Sequence, residues 1–123
     1  MNPGLALAVI AAGAVGALAR FAVARFFGPR TRFPWAVLVV NVIGSAIGGA
    51  VLALATRGNV SADIRLILLT GLCGGLTTFS TLSVETIQFI QDGRWRTALS
   101  SIGANLALGI GCAAGVYALV LAV

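Results

Sequence analysis

The sequence predicts an all-α integral membrane protein with four transmembrane helices, and three observations carry that reading. Of its 123 residues, 59% are hydrophobic and only 9% are charged, whereas a soluble domain carries roughly a quarter charged residues to coat its surface. Four apolar runs stand along the chain, each long enough to cross a hydrocarbon core of about 30 Å, which takes about 20 helical residues. None of them alternates polar with apolar residues in segments of about 10, as the strands of a membrane β-barrel do. Lipid is therefore the solvent, and the length allows one compact membrane domain over residues 1–123.

The first run covers about residues 4–24, with Arg20 near its end. No basic stretch precedes it and Arg20 follows its apolar core, so it reads as a retained helix and not a cleaved signal. The second run covers about 35–56, interrupted mainly by Asn41 and Ser45. The third covers about 66–90 and the fourth about 97–123, and the connections are FFGPRTRFP, RGNVSAD and QDGRWR. Glycines recur in small-xxx-small pairs, Gly44/Gly48, Gly71/Gly75 and Gly111/Gly115. That spacing puts both glycines on one helix face and lets backbones approach closely in lipid.

The net charge of +5 comes from eight Arg against three acids, with no His. A basic balance in a soluble chain points to nucleic acid; here the arginines sit mostly between apolar runs, where they set orientation, so no nucleic-acid partner is expected. The first and third loops carry Arg25, Arg30, Arg32, Arg94 and Arg96, and the second carries Arg57 and Arg65. Five against two puts both termini outside under the positive-inside rule. Cys73 and Cys112 both lie in apolar stretches and read as small packing residues, and without His a zinc or haem site lacks its ligands. An enzyme is not expected, because no nucleophile–base pair is present and the acids are Asp63, Glu85 and Asp92 alone.

Several residues are out of place in hydrocarbon. The third run contains TGLCGGLTTFSTLSVE, residues 70–85. Glycine weakens helix, and hydroxyls compete for backbone carbonyls. A helix broken at membrane depth survives only where its freed groups meet protein, water or an ion. Freed carbonyls aimed at one point suit a cation, whereas N–H groups and hydroxyls suit an anion. The residue types alone leave ion handling and a plain flexible kink both open. Asn41 stands seven residues into the second run, where its amide either bonds across helices or offers N–H donors to an anion. Arg20 and Glu85 are costlier, about 2.5–3.5 kcal/mol for a central Arg, although near helix ends both can snorkel. In the fourth run Ser101, Asn105 and Gly109 recur at i+4 as one small, polar stripe.

GAVGALARF (13–21), NVIGSAIGG (41–49) and GLCGGLTTFSTLSVE (71–85) resemble the three signature stretches of the Fluc fluoride channels, also called CrcB. The resemblance spans essentially the whole chain and implies an antiparallel, dual-topology dimer in the cell (plasma or inner) membrane. It implies passive export of fluoride through pores along the dimer interface, and a structural Na+ at the dimer centre. The sodium would be held by the backbone carbonyls of Gly74 and Thr77. The anion path would use Asn41, the ring edge of Phe79 and the hydroxyls of Ser80 and Thr81, with Arg20 drawing anions to the vestibule. Ser101 and Asn105 are weaker candidates for its outer part. One position departs from the family pattern, since Leu82 stands where a second phenylalanine is usual. Leucine has no polarised ring edge, so pores built on that residue should conduct less well or not at all. Some members of the family are paired, non-identical subunits of fixed orientation. Leu82 and the arginine bias both lean toward such a heterodimer over a homodimer, with this chain as a weakly conducting or non-conducting partner. Small multidrug transporters share the four-helix layout but titrate a carboxylate in the first helix, and this chain has no acid before Asp63.

Overall fold

A computed structural model describes residues 2–29 and 32–123. Its helices are α1 (Pro3–Phe27), α2 (Trp35–Thr56), α3 (62–76), α4 (Phe79–Gln91) and α5 (Trp95–Ala122). Taken as spans, Pro3–Phe27, Trp35–Thr56, Ala62–Gln91 and Trp95–Ala122 are each long and apolar enough to cross a membrane. The chain is thus a multi-pass membrane protein, and the third of its four spans is the broken one. Among the described residues no strand is present.

Helix ends follow from local chemistry. Asn2 Oδ1 accepts from Leu5 N at 2.7 Å and Pro3 occupies the first turn, which together start α1. Its last turns run on to Phe27, past the end expected at residue 24. α2 ends in a Schellman turn, in which Gly58 takes φ +75° and Asn59 N donates to Leu54 O at 2.9 Å. Gly93 closes α4 the same way, with Arg94 N on Phe89 O at 2.7 Å. The third span begins at Ala62, four residues before the apolar run suggests, because Ser61 Oγ accepts from Ile64 N at 3.3 Å.

α3 changes winding along its length. Ala62–Leu66 is α-helical, Ile67–Cys73 is a π-helix, and Gly74–Leu76 returns to α. The chain then leaves helix altogether. Thr77 (φ −78°, ψ 157°) and Thr78 (φ −146°, ψ 120°) are extended, and α4 starts at Phe79. The break that the glycine pair and hydroxyl run imply therefore lies at Thr77–Thr78.

Packing depends on missing side chains. α1 lies against α3 through Gly13, Gly16, Gly71 and Gly75, where a Cβ on Gly16 would stand 2.7 Å from Leu76 N and one on Gly71 2.8 Å from Val9 O. α2 packs most extensively on α5. There a Cβ on Gly49 would stand 3.1 Å from the Ala113 carbonyl carbon. The buried apolar side chains are few: Val37, Leu38, Val40, Val51 and Ala53 on α2, Cys73 and Leu76 on α3, and Ala98 on α5. Gly44 faces Thr77 and Gly48 lies near Leu69, whereas Gly111 and Gly115 meet no atom of this chain within 4 Å. Among the described residues, that last pair faces open space. Large apolar side chains such as Leu7, Ile10, Leu18 and Phe21 point outward from α1, as a lipid-facing helix requires.

Candidate functional site

The break is held open by a side chain from another helix. Asn41, in the first half of α2, accepts from Thr78 N through Oδ1 at 2.8 Å and donates from Nδ2 to Thr78 O at 3.1 Å. Its amide thus pairs with both polar groups of one peptide residue, much as a neighbouring strand would. Nδ2 also donates to Asn105 Oδ1 at 2.8 Å, and Asn105 Nδ2 donates to Ser101 O at 2.8 Å. Both donor hydrogens of Asn41 are engaged, and α2, the break and α5 are tied by one amide chain.

That pairing redirects the backbone around it. In an unbroken helix Thr78 N would donate to Gly74 O and Thr81 N to Thr77 O. Here Thr78 N is taken by Asn41 Oδ1, and Thr81 N donates to Thr78 Oγ1 at 3.1 Å. The carbonyls of Gly74 and Thr77 are both relieved of their helical donors, and Gly74 lies exposed on the surface of the chain. Hard cations take oxygen ligands of this kind, so the residues present suit a carbonyl-held cation such as Na+.

The other side of the break has the opposite character. α4 begins at Phe79, so Phe79 N and Ser80 N have no partner earlier in that helix. The helix dipole adds partial positive charge at the same place. Thr78 Oγ1 donates to Thr81 Oγ1 at 3.0 Å and stands 3.3 Å from Ser80 Oγ. Thr81 Oγ1 accepts there, so its own hydrogen can point to an outside acceptor. Along the chain, the N–H groups without helical acceptors follow Thr78, and the carbonyls relieved of helical donors precede it.

Asn41, Thr77, Phe79, Leu82 and Asn105 line one cleft of about 300 Å³, together with Ser45 and Thr78. Ser80 and Thr81 join it through the Thr78 hydroxyl, and Ser101 joins through Asn105. Phe79 is 81% exposed, its ring standing free of the rest of the chain. Leu82 follows one turn later on the same face of α4, inside the cleft. Ser101 is 1% exposed and its Oγ has no hydrogen-bond partner. Arg20 is half-buried on α1 and does not line the cleft, nor does Gly74.

Thr78 is the residue that motif reading passed over. It is the hinge of the break, the cap of α4 and the link from Asn41 to the hydroxyls. The signal was present, because a threonine just before Phe79 and three residues before Thr81 occupies the N-cap position of a helix start. Ser45 was visible only as an interruption, and its place in the cleft depends on the fold.

Residues 7–118 match the family model described as CrcB-like protein, Camphor Resistance (CrcB). Among curated relatives, the fluoride-specific ion channel FluC 1 of Mycobacterium tuberculosis is 45% identical over 105 residues, covering 84% of this chain and 80% of the relative. FluC 1 of Thermobifida fusca is 42% identical over 110 residues, covering 88% of each chain. FluC of Roseiflexus sp. is 43% identical over 117 residues, covering 89% of this chain and 94% of the relative. With a family match over most of its length and relatives this similar end to end, the chain belongs to the CrcB family.

Proposed function

We propose that this chain is a subunit of a passive, fluoride-selective ion channel in the cell membrane, letting cytoplasmic fluoride leave the cell. One observation carries the reading. The third span breaks at Thr77–Thr78 and gathers N–H and O–H donors beside a cleft, in a chain whose relatives carry the name of fluoride-specific channels. A small, strongly hydrated anion crosses a low-dielectric layer only where donors replace its water.

The residues divide that work. Arg20 raises the local anion concentration at the mouth. Fluoride then exchanges for Asn105 Oδ1 as acceptor of an Asn41 N–H, which frees Asn105 to turn its own amide to the ion. The ring edge of Phe79, which carries partial positive charge, hands the ion to Ser80 and Thr81, and Ser101 with Asn105 serves the outer path. No bond is made or broken, so the process is transport and not catalysis.

The site is incomplete in one chain. Phe79 and Gly74 both lie at the surface, and two carbonyls are too few to enclose a cation. A second subunit packed antiparallel across the break would double the carbonyl set around Na+ and cover Phe79. The sodium would brace the two breaks against each other as a fixed structural charge. Leu82 in the cleft supports a second reading of the assembly, in which the partner is a non-identical sister subunit that supplies the intact pore. Fluoride efflux from liposomes holding this chain, alone and with a sister subunit, tests both. Efflux only from the mixture supports the heterodimer, full efflux from this chain alone supports the homodimer, and no efflux in either case overturns the proposal.

A further inference from the structure

Away from the break, the bundle end that carries the first and third loops has two adjoining clefts. The larger, about 730 Å³, is lined by Arg32, Glu85, Gln88, Phe89, Arg94 and Thr97 among others. The second, about 580 Å³, runs between the end of α1 and the start of α2, past Phe21, Ala24, Arg25, Phe27 and Ala36. Pro29, Pro34 and Glu85 line both. The first cleft is mainly polar, and the second mixes apolar side chains with Arg25 and Glu85.

The larger cleft has a built polar wall. Arg94 Nη2 donates to the carbonyl of Arg32, and its guanidinium lies 4.8 Å from the centre of the Phe89 ring. That cation–π contact and that hydrogen bond hold the guanidinium in place and leave other N–H groups free. Opposite in charge is Glu85, whose Oε2 is buried without any hydrogen-bond partner. With one oxygen unpaired, the carboxylate is left short of compensating donors. Trp35 and Trp95, 48% and 55% exposed, stand at the same end of the bundle, and such aromatics settle at headgroup level.

We infer that the two clefts together seat one phospholipid carrying a primary ammonium, a phosphatidylethanolamine. The phosphate meets Arg94 and Arg32, the ammonium donates to the Glu85 carboxylate, and an acyl chain follows the apolar side chains of the second cleft, Phe21, Ala24 and Phe27. The carboxylate charge is shared by both oxygens, so a donor in the cleft meets it at the oxygen that is not buried. The choice of headgroup follows from the charges. Phosphatidylglycerol offers no cation to Glu85, and the ammonium of phosphatidylcholine has no N–H to donate.

Native mass spectrometry of the purified protein in detergent tests this, with the three lipids added in turn, all with the same acyl chains. Phosphatidylethanolamine should form its first adduct at roughly one-tenth the concentration of the other two, the factor one charge-assisted hydrogen bond supplies. Glu85→Gln should erase that preference, and Arg94→Gln should weaken all three lipids. Tail-less glycerophosphoethanolamine should give no adduct at the same concentration. If Glu85→Gln does not fold, the ranking on the unmodified chain decides. Equal binding of phosphatidylcholine, tighter binding of phosphatidylglycerol, a preference intact in both variants, or equal binding of the tail-less headgroup would each overturn the assignment.

Discussion

Replacing Asn41 tests the link between the break and conduction. Asn41→Ala removes three hydrogen bonds at once, two to the Thr78 peptide groups and one to Asn105. Interhelical hydrogen bonds in membrane proteins contribute about 0.6 kcal/mol each and at most about 1.7, so the three amount to roughly 2–5 kcal/mol. Thr78 N, released from Oδ1, is then free to return to Gly74 O and extend α3 through the break. The donor offered to the ion is lost as well. A hydrogen bond to a charged group contributes about 1.5–3 kcal/mol, which corresponds to roughly 10- to 150-fold in rate. Fluoride efflux from liposomes, read with a fluoride electrode, should fall within or beyond that range, and thermal unfolding in detergent should shift downward. Asn41→Asp should be worse still for flux. It keeps the acceptor for Thr78 N but sets carboxylate oxygen against Thr78 O, Asn105 Oδ1 and the anion. Normal flux in both variants would refute the role given to this amide.

Other substitutions probe separate parts of the account. Leu82→Phe should raise fluoride flux severalfold in the same assay by returning an aromatic edge to the cleft, and unchanged flux would show that this residue does not limit conduction. Gly75→Ala places a Cβ 2.9 Å from the Gly13 carbonyl carbon, so α1 and α3 must move apart; a loss of about 1–3 kcal/mol is expected, seen as a lower unfolding temperature. Thr81→Val keeps the shape but removes the hydroxyl and its free hydrogen, and should lower flux about tenfold; with Ser80 Oγ still beside Thr78 Oγ1, the unfolding temperature should fall only slightly. If sodium braces the proposed dimer, reconstitution with a bulky organic cation in its place should reduce flux and shift the protein toward smaller species on size-exclusion chromatography.

Hydropathy and run length made the four spans legible, because crossing lipid imposes a length on every helix. Fine placement was less so. Ser61 caps a helix that starts in polar sequence, so hydropathy located the third span four residues late. The π-winding of Ile67–Cys73 leaves no trace in an apolar run, since a run apolar on nearly every side has no periodicity to separate i+4 from i+5 bonding. The glycine pair and TTFST announced a break but not its position. That position is set by Asn41, 37 residues away from Thr78, a tertiary contact that no local pattern contains. Asn41 likewise lacks a strong partner in its own helix and finds it in Asn105, 64 residues on. Gly111 and Gly115 show the limit of a spacing motif. The pattern marks a face fit for close approach, whereas none of the described residues of this chain approaches it.

Anion efflux from liposomes reconstituted in sodium with this chain, alone and with a sister subunit, tests the central claim most directly when chloride is the control. Rapid fluoride efflux in at least one pairing, with chloride retained, is the result the account predicts. Fluoride retained in every pairing, or chloride leaving as fast as fluoride, would contradict it.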